Sequence, residues 1–158
     1  MIRWSFHDGG AGPDGIRHEG LDAPLEERLH LIVQQAMSAW ERVSGVTFVE
    51  APDGPHSDLR IGYGTAEYHH AHEFVDVSAG RGGWARVDGE LVRIVSLNPD
   101  ATDYSVETLY DVLLHEIGHA IGIDNSDVHG VVMSGPPNSP YWYPDGANQL
   151  QPDDISAA

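Results

Sequence analysis

The chain has no cysteine and no lysine. Without thiols no disulfide can staple the fold, so stability rests on a packed core and on any metal held. With no lysine, 8 Arg stand against 25 Asp+Glu and the formal charge is −17. Phosphate contacts need a basic face, so nucleic acid is excluded as a partner, and an anionic membrane surface with it. No apolar run reaches the ~18 residues of a membrane span. The opening MIRWSFHDGG lacks the charged start and long apolar stretch of a signal peptide, and the segment reads as a cut-out domain. What is present is globular in character: 41% hydrophobic and 21% charged residues in a length of 158 suit one domain with a real core. The acid excess reads as solubility. Calcium held by clustered carboxylates is the sharper alternative, although the Asp residues do not follow calcium-loop spacing.

Ile2, Trp4 and Phe6 alternate with polar neighbours and predict a first strand. His7–Gly20 reads as loop. Asp22 and Pro24 mark a helix start, Leu25 to Val43 follow at helical spacing, and Gly45 ends the helix. Trp40 belongs to its core face. Val46–Glu50 predicts a second strand, the run PDGP a turn, and Leu59, Ile61 and Tyr63 a third strand. Trp84–Val87 and Glu90–Leu97 flank Asp88-Gly89, a hairpin signal. Ser105 is the expected N-cap of a further helix, with an apolar face from Leu109 to Ile121.

That second helix carries the chemistry. His115, Glu116 and His119 stand in the order H-E-x-x-H. Positions i and i+4 share a helix face, so two imidazoles can hold one metal, and Glu116 can act as general base for metal-assisted hydrolysis. The rival is an amphipathic helix with two solvated histidines, and the bare pentapeptide, with an expected chance count of roughly 0.04, does not exclude it. Gly122 lowers the figure to roughly 0.004. A glycine there can take positive φ, end the helix and turn the chain back toward the metal.

The run HEIGHAIGIDNSDVHGVVM resembles the zinc-binding signature of the metzincin metallopeptidases, and within them the matrixins: H-E-x-x-H-x-x-G-x-x-H followed by a Met-turn. The later run LQPDDI resembles the start of the last matrixin helix. The resemblance implies an α+β, zincin-like fold. A mixed, twisted sheet of about five strands would pack on a long scaffold helix and an active-site helix, with a short C-terminal helix. It implies one catalytic domain over 1–158, with an upper subdomain to about 122 and a lower one from about 123. His115 and His119 would bind zinc, Glu116 would be the base, and Met133 the methionine beneath the metal. Tyr141 and Tyr143, in PYWY, would wall a substrate pocket, and a hairpin strand would form a sheet edge above the cleft. Three histidines and an aspartate hold a structural zinc in many matrixins. His69, His70, His72 and Asp76 have those types but not that spacing, and read as a solvated polar loop. A second structural zinc there, or calcium, is the additional metal the resemblance allows.

One position departs from the pattern. Asn125 stands where the family has a third histidine, and a neutral amide oxygen is a poorer zinc ligand. Asn125 can bind weakly, Asp124 can shift in, His129 can supply an imidazole, or the site is impaired. The function implied is a zinc endopeptidase acting on polypeptide, a monomer, extracellular as the family is. The alternative is a non-catalytic metzincin-like domain that binds peptides or a partner protein, motivated by Asn125.

Overall fold

The computed structural model describes residues 1–8, 24–53, 57–64, 80–87, 90–97 and 106–123. In chain order these form β1 (Ile2–Phe6), α1 (Glu27–Ser44), β2 (Phe48–Glu50), β3 (Leu59–Tyr63), β4 (Gly80–Val87), β5 (Glu90–Leu97) and α2 (Val106–Ala120). The architecture is α+β. One sheet has the order β2-β1-β3-β5-β4. Its first four strands run parallel, and β4 turns antiparallel against β5, pairing Trp84 with Arg93 and Val87 with Glu90. Parallel neighbours need a crossover, and α1 supplies it between β1 and β2.

Alternation places Trp4, Leu59, Ile61, Tyr63, Val95 and Leu97 in one core with the buried faces of both helices. From α1 that face is Leu29, Ile32, Val33, Ala36, Met37 and Trp40, the i, i+3, i+4, i+7 pattern of an amphipathic helix. A fully buried side chain of this size contributes about 1.5–3 kcal/mol. The expected helix starts three residues early: Pro24 and Leu25 precede the helix, although Leu25 is buried in the same core. Glu26 is the N-cap residue, extended at φ −61 and ψ 145, and its carboxylate accepts the Tyr63 hydroxyl instead of capping the helix. Burial, followed by that carboxylate, raises the Tyr63 pKa above its ordinary value. Gly45 closes α1 at φ 71, the left-handed stop its position predicts.

Every residue of β3 is buried. Sheets covered on both faces have that pattern, and here the second face includes a charged residue, Arg60. No described helix is long and apolar enough to cross a membrane.

Candidate metal centre

α2 packs against α1, β4 and β5. Its apolar positions Leu109, Val112, Leu113, Leu114, Ile117 and Ala120 are all buried. Enclosure extends to the polar residues: His115 is 3% exposed and Glu116 2%. Only His119 of the three is part-exposed, because α2 is covered on more than the face its apolar residues define.

The one-turn spacing brings the side chains together. The imidazoles of His115 and His119 meet edge to face with centroids 4.5 Å apart. One ligand atom from each of His115, Glu116 and His119 lies within 4.8 Å of the others. Two imidazole nitrogens suit zinc in type, and a carboxylate beside them can take a proton.

The end of the helix sets the orientation of one ring. Gly122 has φ 100, its amide donates to the His119 carbonyl, and the Ile123 amide donates to the Gly118 carbonyl, each at 3.0 Å. This reversal turns the Ile123 carbonyl back to 2.7 Å from His119 Nδ1. A carbonyl only accepts, so Nδ1 carries the proton and the lone pair lies on Nε2. A histidine ligand held through its other nitrogen in this way is fixed in tautomer and direction. The buried Ile123 side chain anchors the turn in the core. Next to His115, the Trp40 indole N–H of α1 donates to the Leu114 carbonyl at 2.8 Å.

A second histidine–carboxylate group, His7, Asp8 and Asp53, is gathered within the same 4.8 Å. Arg60 occupies it. Its Nε donates to Asp53 Oδ1 at 2.7 Å and its Nη2 to Asp53 Oδ2. Ser5 Oγ and the Asp8 amide also donate to Asp53. Arg60 Nη2 lies 3.1 Å from His7 Nδ1. Arginine only donates, so Nδ1 of His7 is the acceptor. The Asp53 oxygen, 3.6 Å from the same nitrogen, is beyond hydrogen-bond reach. Burial and then the Arg60 charge lower the His7 pKa. Burial works to raise that of Asp53, but bonds from Arg60 and Ser5 outweigh it and the carboxyl stays below its usual range. This is a buried ion network with its own cation. His7 lies just past β1, in accord with the loop reading, yet it is buried, because its amide still donates to the Ile61 carbonyl.

Comparison with known proteins supplies the family. The matrixin sequence profile matches residues 21–158. The chain belongs to the matrixin family. This matrixin is 30% identical over 107 residues to the hatching enzyme of Paracentrotus lividus, covering 64% of this chain and 17% of that one. It is 28% identical over 120 residues to Metalloendoproteinase 1-MMP of Arabidopsis thaliana, covering 72% of this chain and 33% of that one. The matrixin chain thus spans a third or less of these relatives' length.

Of the residues singled out by sequence, His115, Glu116 and His119 are brought together. Asn125, Asp124, His129, Met133, Tyr141 and Tyr143 lie outside the described residues, as do His69, His70, His72, Asp76, Asp88-Gly89, Ser105 and the last helix. Sequence reasoning missed the Arg60–Asp53–His7 network and the Trp40–Leu114 bond. An arginine between the apolar residues Leu59 and Ile61 was the only available signal for the first.

Proposed function

We propose that this matrixin is a zinc-dependent endopeptidase with a zincin-like fold in one domain. The observation that supports it is the grouping of His115, Glu116 and His119 within 4.8 Å on one helix, with His119 held through Nδ1. His115 and His119 would hold the metal, with a third donor from Asn125, or from Asp124 or His129 as the alternatives. Zinc held there supplies Lewis-acid polarisation of a peptide carbonyl and of water. Glu116 accepts a proton from water as the water oxygen attacks the carbonyl carbon. It then returns that proton to the departing amine, so the carboxylate ends as it began. Burial of Glu116 strengthens its interaction with charge developing beside it. Met133 would be the methionine of the Met-turn, and Tyr141 and Tyr143 would wall the pocket for the substrate side chain.

The substrate is polypeptide. β4 is an edge strand beside α2, so an extended peptide can add to it by main-chain hydrogen bonds. The extracellular setting follows the family resemblance.

Zinc per chain, measured after chelation and reloading, tests the proposal together with casein hydrolysis. One tight zinc with cleavage is expected. A wild type that is metal-poor and inert, with Asn125→His gaining both, identifies a site disabled at its third ligand and makes the non-catalytic reading the correct one.

A further inference from the structure

Trp40 lies far from Glu116 in sequence and is expected on the core face of its helix. It is fully buried, at 0% exposure. A buried indole N–H requires an acceptor, and any carbonyl would serve. The one it reaches is Leu114 O, 2.8 Å away and 74 residues on. Within α2 that oxygen is also the regular acceptor for the amide of Gly118. The indole therefore adds a second donor to a carbonyl that already has one. That carbonyl belongs to the peptide unit whose nitrogen is His115 N.

We infer that Trp40 is a positioning residue for the metal centre, its N–H clamping the Leu114–His115 peptide of α2 to α1 and so fixing where the His115 imidazole stands. The inference rests on the zinc reading above. The His119 ring is bonded by the Ile123 carbonyl at 2.7 Å. At His115 the Trp40 bond acts through the backbone, because a peptide plane fixed in position and tilt fixes the Cα–Cβ direction from which the ring projects. A metal site tolerates only about 0.5 Å of ligand displacement before affinity suffers. A rigid neighbour bonded to the ligand's own peptide limits such displacement, whereas apolar packing alone allows α2 to slide.

The experiment is zinc affinity of the full chain, read by competition with a chromogenic chelator under conditions where each variant is folded. Trp40→Phe removes the donor. Ile32→Val and Leu29→Ala, core changes on the same helix, bracket its loss of stability without touching the Leu114 carbonyl. The expected result is a zinc affinity lower by on the order of tenfold in Trp40→Phe, as for loss of other groups that orient metal ligands, and unchanged in both controls. If Trp40→Phe does not fold, 3-benzothienylalanine placed at position 40 keeps the ring shape with sulfur in place of N–H, and the same drop is expected. Equal affinity in the donor-less protein, or an equal drop in the controls, overturns the inference and leaves the zinc reading intact. A wild type without zinc affinity overturns both.

Discussion

His7 and His119 each use Nδ1, and the partner differs: a guanidinium for His7, a main-chain carbonyl for His119. The two rings are therefore opposite tautomers. In His7 the nitrogen lone pair close to the carboxylates is taken by Arg60. In His119 the carbonyl fixes the proton, and the Nε2 lone pair is left for a metal. In both clusters the candidate donor atoms lie within 4.8 Å of one another, so distance does not separate them. The resident cation and the side of the ring that carries the proton do.

Glu116→Gln is the largest test of that distinction. It should keep zinc and lower peptide hydrolysis by roughly 10²–10⁴-fold, the usual worth of a positioned base. Full activity in the variant would remove Glu116 from the mechanism. Next, Arg60→Met leaves the Asp53 carboxylate buried without its cation. A loss of about 3–5 kcal/mol is expected in urea unfolding, with zinc content per folded chain unchanged. A shift of a few tenths would mean that the network is dispensable. Gly122→Ala is smaller. A Cβ there meets nothing within 4 Å, so the cost is that of φ 100 alone, about 1–3 kcal/mol. Zinc affinity should fall with it, because the Ile123 carbonyl moves. Gly45→Ala, at φ 71 and equally open, should cost similar stability and leave zinc affinity unchanged. Loss of affinity in both would separate the His119 bond from metal binding.

The smallest effect is in pH. The folded His7 pKa lies below the ordinary 6.5. As pH falls through 6.5, the unfolded chain takes up a proton that the folded chain refuses, and stability declines until the lowered folded value is passed. His7→Gln should flatten this part of the stability–pH profile, read from urea midpoints. Parallel profiles for the two proteins would show that His7 titrates alike in both states.

The legible features in the sequence were those written in local patterns. Ile2, Trp4 and Phe6 gave β1 by alternation, Gly45 and Gly122 gave the helix ends by their freedom at positive φ, and H-E-x-x-H gave the grouping by helical periodicity. What was not legible depends on partners distant in the chain. β4 begins at Gly80, four residues before the expected Trp84, since pairing with β5 overrides the poor strand propensity of Gly82 and Gly83. Arg60 reads as a solvent-facing strand residue until Ser5 is found beside it in register and Asp53 across from it. No pattern in either helix alone indicates that the Trp40 indole reaches Leu114.

The Gly122 reversal also bears on the order of assembly. Its hydrogen bonds and the His119–Ile123 contact all fall within residues 118–123. Such a closure spans a few residues and forms on the microsecond scale or faster. The Trp40–Leu114 bond must wait until the chain has closed a loop of 74 residues. The His119 ring is therefore aimed early in folding, and the Leu114–His115 peptide is clamped only when α1 docks on α2. Gly122→Ala should chiefly slow folding and Trp40→Phe chiefly speed unfolding in a chevron analysis, and the reverse partition would invert the order. One of the two histidines proposed to hold zinc would thus be oriented before the peptide of the other is clamped.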